Sequence, residues 1–165
     1  MRVLFGIVSF VAVLIVSIFL WYQFVKNCED YLKLAGDSPN IEMADQFLGM
    51  AIDYMEKNNL TSGNSSLIFN TPGNDVGIWY KKIKGAKKTT ETMLNKIKDD
   101  PASVTQLEQD NALMKIREVV LDNSKKGTEV TLPEGVDWHP YRRFMLFWWF
   151  LSVFILIWGI RDTKN

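Results

Sequence analysis

The sequence predicts a mostly α protein in which two transmembrane helices, one N-terminal and one C-terminal, flank a small extramembrane bundle of three to four helices. Three observations predict it. Val3 to Tyr22 carries no charged residue, Phe144 to Ile160 carries none either, and the apolar residues between these runs recur at helical spacing. The organisation that follows is a first span over 1–25 whose helix continues to about 35, a helical domain over 26–123, an extended membrane-proximal connector over 124–141, a second span over 142–161 and a tail over 162–165.

The first run, VLFGIVSFVAVLIVSIFLWY, is 20 residues long, and at the helical rise it covers roughly 30 Å, the thickness of a bilayer core. A secretory signal is the competing reading, but its apolar core is shorter and ends at a small-residue cleavage site. WYQFVKNCED offers no such site, so a retained anchor is expected. No Gly or Pro interrupts the chain between Leu20 and Gly36, which predicts a helix running out of the membrane without a break. Gly6, Ser9, Ala12 and Ser17 fall short of a small-xxx-small motif, so a tight self-dimer through this span is not expected. Cys28 is the single cysteine, excluding a disulfide within the chain. It reads as an inert structural thiol rather than a palmitoylation site.

In NIEMADQFLGMAIDYMEKNN the residues Ile41, Ala44, Leu48, Ala51, Ile52 and Met55 form one stripe, with Glu42, Asp45, Asp53 and Glu56 beside it. No second copy at a period of about 34 residues follows, so a helical repeat is not indicated. LTSGNSSLIFNTPG is a loop holding an apolar island, Leu67-Ile68-Phe69. Asn74 is the expected cap of the next helix, whose buried stripe is Val76, Trp79, Tyr80, Ile83, Thr90, Leu94 and Ile97. Lys81, Lys84 and Lys88 form a solvated face. Asp99-Asp100-Pro101 ends this helix and starts another over 102–122. That helix has two apolar stripes, Val104, Leu107, Met114 and Leu121 on one side and Leu113, Ile116 and Val120 on the other, so either it is the central element of the bundle or one stripe meets another protein, the second stripe being the expected docking face. SKKGTEVTLPEGVDWHPY then reads as a connector with one short strand, Glu129 to Leu132.

The C-terminal run is bracketed by Arg142 and Arg143 before it and Arg161 and Lys164 after it. With Arg2, Lys26 and His139, these are the expected anchors at the lipid headgroups. Basic residues nearly tie between the two sides of the spans. A basic N-terminus followed by an apolar run behaves as an export signal, which predicts a bacterial inner-membrane protein with both termini cytoplasmic and the middle domain periplasmic.

Several chemistries find no support. Lys plus Arg and Asp plus Glu both number 19, so no charge bias recruits nucleic acid. One histidine and one cysteine, without metal-ligand spacing, indicate no metal and no cofactor. No nucleophile elbow or phosphate-binding glycine loop occurs, so no catalytic residue and no enzyme is expected. The apolar runs Val3–Tyr22 and Phe144–Ile160 hold no Asp, Glu, Lys, Arg or His of the kind that marks an ion path.

What the sequence supports best is a non-catalytic structural or accessory subunit, or assembly factor, hetero-oligomeric with the other subunits of a membrane complex and embedded in the lipid bilayer. Its expected docking residues are Phe147, Trp149, Phe154 and Trp158 on the second span, together with the Leu113, Ile116 and Val120 stripe. The alternative is a periplasmic module that senses a small molecule or peptide through loop 59–73 and Trp79-Tyr80. A third is an interfacial lipid-active enzyme using His139, Arg142 and Arg143.

Overall fold

A computed structural model describes residues 2–66, 70–124 and 127–162. The chain is mostly helical. Helix α1 (Arg2–Phe24) passes through a π turn at Val25–Glu29 into α2 (Asp30–Gly36), so the unbroken exit expected from the sequence is present and the π turn is its unforeseen feature. In that turn the Asp30 amide donates to the Val25 carbonyl five residues back. The helix ends where Gly36 lies against Val120 and Leu121: a Cβ there would come within 2.6 Å of Leu121 Cδ1.

Asn40 caps α3 (Ile41–Lys57), its side chain accepting from the Met43 amide. The buried face of α3 is Ile41, Ala44, Leu48, Ala51, Ile52 and Met55, the stripe the spacing predicts. Helix α3 runs back antiparallel to the exit helix, since Tyr31 stacks on Phe47 and Phe24 meets Tyr54 edge to face.

Helix α4 (Val76–Asp99) is capped by Asp75 rather than by the expected Asn74. Asp75 accepts from the Ile78 amide, while the Asn74 carbonyl accepts from the Ser65 amide and closes the loop before it. Of the expected α4 stripe, Val76, Trp79, Ile83 and Thr90 are buried, while Tyr80 and, one and two turns past Thr90, Leu94 and Ile97 are half-buried. A polar lock joins α3 to α4. The hydroxyl of Thr90, itself fully buried, donates to Asp45 at 2.5 Å, and Lys87 Nζ lies 2.7 Å from the same carboxylate. Asp45→Ala should therefore lower unfolding stability by about 1–2 kcal/mol, because it leaves the Thr90 hydroxyl only the Lys87 carbonyl, at 2.6 Å, and the Lys87 ammonium only the longer Glu91 pair, at 3.4 Å. Urea denaturation checks this, and Asp45→Asn, which keeps an acceptor oxygen, should lose less.

Helix α5 (Gln106–Val120) opens with a capping box between Thr105 and Glu108. Here the structure corrects the sequence-based expectation. Ile116 and Val120 are buried in the chain's own core and Leu113 packs against it, so this stripe does not face a partner. The outward apolar residues of α5 are Leu107 and Met114. The helix also stops at Val120, because the chain turns into β1 (Leu121–Ser124), which pairs antiparallel with β2 (Gly127–Val130). The strand expected at Glu129–Leu132 thus lies two residues earlier, and it pairs with residues expected to be helical.

Helix α6 (Arg142–Asp162) packs antiparallel along α1. Ser9 Oγ and Ser152 Oγ are 2.9 Å apart, Gly6 lies under Leu156, and Gly159 lies under Val3. The small residues of the first span therefore do have a use: they let α6 approach within the same chain. The two helices long and apolar enough to cross a membrane are Val3–Gly36, at 34 residues, and Arg142–Arg161, at 20. Apart from this seam, residues 3–22 and Arg142–Arg161 expose most of their side chains, whereas Phe24, Cys28, Leu32 and Ala35 of the first helix enter the main core with α3, α4, α5 and Val136.

Candidate membrane-interface site

Where the apolar helices meet the helical domain, the chain builds a collar from the π turn, the loop after α3 and the connector before α6. Arg142, the first residue of α6, supplies its main tie. Its Nη1 donates to the Ser65 carbonyl at 2.5 Å and to the Glu134 carbonyl at 2.8 Å, joining two loops to the head of the helix. Gly135 makes room for this guanidinium: its φ is +72°, and a Cβ would stand 2.2 Å from Arg142 Nη1. His139 supplies the second tie, its Nε2 lying 3.0 Å from the Ser62 carbonyl, with Gly63 at φ +93° beneath the ring. Burial lowers the imidazole pKa below its usual value.

These contacts revise the anchor set. Arg142 and His139 are spent on backbone carbonyls of the chain itself, and Lys26 pairs with Asp30 at 3.0 Å. Arg143 and Arg161 are exposed. The side chain of Arg2, with Lys164, lies outside the described residues. Asn64, Ser65, Ser66, His139 and Arg143 line a cavity of about 290 Å³ beside the head of α6. The cavity has a cationic rim, and the His139 ring nitrogen that faces the loop is bonded to the Ser62 carbonyl.

Across the collar, Glu29 in the π turn faces Asp137 in the connector. Burial raises both carboxyl pKa values above their usual range, and for Glu29 the negative charges of Asp30 and Asp137 add to the effect. The neutral form of Glu29 is therefore favoured by the fold: its contribution is full below the ordinary carboxylate range and is lost as pH rises through the elevated folded pKa. Glu29→Gln should accordingly melt higher than the native chain at pH 7.5, with the difference vanishing toward pH 4. Thermal denaturation at both pH values checks it. Cys28, behind the same turn, is fully buried, and burial pushes its thiol well above the usual range.

The residues proposed to line a ligand pocket sit differently from that expectation. Trp79 is 5% exposed and its indole N–H donates to the Thr131 carbonyl at 2.9 Å, so it belongs to the core. Tyr80 donates its hydroxyl to Glu56, which also holds Lys84 at 3.2 Å. The apolar island Leu67-Ile68-Phe69 lies outside the described residues.

On α6 the four aromatic residues expected at a partner interface divide. Trp149 turns inward, meeting Phe10 edge to face at 4.8 Å and reaching Ser17 Oγ at 3.4 Å. Phe147, Phe154 and Trp158 remain more than half exposed, and Phe147 and Phe154 share a shallow apolar groove with Phe150 and Ile157. The seam residues Ser9, Ser17, Ser152 and Gly159 were missed as a set. Their signal was the presence of small residues in both runs rather than a repeat within either.

The class defined by fold and site is a mostly helical protein with two antiparallel apolar helices, joined by a tied collar to a helical core. No family model, no curated protein and no solved structure matches the chain.

Proposed function

We propose that the chain is a non-catalytic, membrane-anchored structural or accessory subunit of a larger membrane complex. Its α1 and α6 cross the bilayer as an antiparallel hairpin, and α2 to α5 stand outside as a rigid head. One observation carries this reading: two long apolar helices share a seam yet expose most of their circumference, while one continues unbroken into the packed head. Exposed apolar surface on that scale needs lipid or protein to cover it. A cleaved leader is a poor fit for α1, because its loss would strip Ser152, Leu156 and Gly159 of their contacts. A hairpin puts both termini on one side, the cytoplasmic side of a bacterial inner membrane on the export argument, with the head periplasmic. The exposed Phe147, Phe154 and Trp158 are the docking residues for a partner subunit.

Two anchors joined by a collar fix the height and tilt of the head, which suits holding another surface in place. The test is gentle extraction followed by mass analysis of the complex, with Phe147→Ala/Phe154→Ala as the paired variant. A partner in fixed stoichiometry, lost in the variant while membrane integration persists, is the expected outcome. A monodisperse monomer or homodimer from native membranes would sink the proposal.

A further inference from the structure

A second groove, of about 640 Å³, opens between the exit of α1 and the C-terminal half of α3. Its wall on the exit helix is a stripe spaced by four residues, Phe19, Gln23, Asn27 and Tyr31, which passes from apolar to polar over Phe19 to Asn27 as the helix leaves the apolar run at Tyr22, and ends on the tyrosine. Leu20 widens its apolar end. Its α3 wall presents Asp53 and Lys57, one turn apart. Among the described residues neither has an ion-pair partner, so both charges are available to a ligand.

We infer that this groove binds one phospholipid with a primary-amine, zwitterionic headgroup, its acyl chain against Phe19 and Leu20, its phosphate at Lys57 and its ammonium at Asp53. The proposal rests on the membrane reading above and adds the identity of a bound lipid. Three observations argue for it. From Phe19 through Gln23 to Asn27 the wall changes polarity along one helix face in the order tail, backbone, headgroup. The two charges are opposite in sign, so the groove is matched to a zwitterion rather than to an anion. Their order is also correct. Because α3 runs antiparallel to α1, with Phe24 opposite Tyr54 and Tyr31 opposite Phe47, Lys57 lies about 6 Å nearer the apolar run than Asp53. In such a lipid the phosphate likewise lies nearer the tails than the amine. The carboxylate of Asp53 takes charge-assisted hydrogen bonds from a primary ammonium, which a quaternary one cannot supply.

The experiment is native mass spectrometry of the full chain released from micelles doped with phosphatidylethanolamine, phosphatidylcholine or phosphatidylglycerol, in parallel with alkaline carbonate extraction of its membranes. One retained phosphatidylethanolamine is expected, with affinity roughly tenfold weaker in Lys57→Ala and in Asp53→Ala. The exchange Asp53→Lys/Lys57→Asp keeps net charge but reverses the order, so it should lose the preference while retaining native circular dichroism. Equal retention of all three lipids, or an exchanged variant that binds like the native chain, would overturn the lipid site while carbonate resistance leaves the membrane reading standing. Release by carbonate would overturn both.

Discussion

Ile83→Ala should lower the unfolding free energy of the helical head by about 3 kcal/mol, within the 2–5 kcal/mol range for deleting buried aliphatic groups. Ile83 is fully buried two turns into α4, in the core that also holds Leu48, Met55 and Ile116. With total stabilities near 5–15 kcal/mol, this is a large fraction of what the head possesses. Urea titration of the full chain in detergent, followed by far-ultraviolet circular dichroism, checks it. The midpoint should fall, and a helical signal from α1 and α6 should survive, because detergent still covers their apolar sides. Loss of all helicity in one transition would show that head and hairpin are a single cooperative unit.

The second large effect is expected for Ser152→Asp. Ser152 is fully buried at the middle of α6, hydrogen-bonded across the seam to Ser9. A carboxylate at the centre of a spanning helix costs about 2.5–3.5 kcal/mol on insertion scales, enough to shift the spanning fraction of α6 by roughly 10²-fold. The α6 run is also the shorter of the two apolar helices. A reporter fused after Asn165 should move to the opposite side of the membrane in the variant, while α1 stays inserted. Ser152→Ala removes only one hydroxyl contact and should keep the native topology. An aspartate variant with unchanged topology would argue that α6 does not span.

Both predictions use residues whose roles were legible to different degrees. The inward stripe of α3 could be read directly, because helical periodicity and burial carry the same information when one face of a helix is covered. The same rule failed on α5. Two apolar stripes are compatible with a partner on either side, and only packing showed that Leu113, Ile116 and Val120 turn toward α2, α3 and α4, leaving Leu107 and Met114 outward. The collar was harder still. Arg142 and His139 looked like headgroup anchors from their place beside an apolar run, yet their partners are carbonyls of Ser62 and Ser65, 77 residues away. No local signal specifies a contact between side chain and backbone at that separation.

By itself the sequence determined the composition of each segment and therefore its solvent: apolar runs at the two ends, amphipathic helices between them, and an uninterrupted exit as far as Gly36. These are properties of short stretches, set by side-chain hydropathy and helical spacing. The tertiary structure alone decided which small residues meet across the α1 and α6 seam, which arginine is spent on the collar, and that Phe19, Gln23 and Asn27 face Asp53 and Lys57 across a groove. Such juxtapositions depend on the relative rotation of helices far apart in the chain, and the π turn at Val25–Glu29 resets that rotation without any residue announcing it.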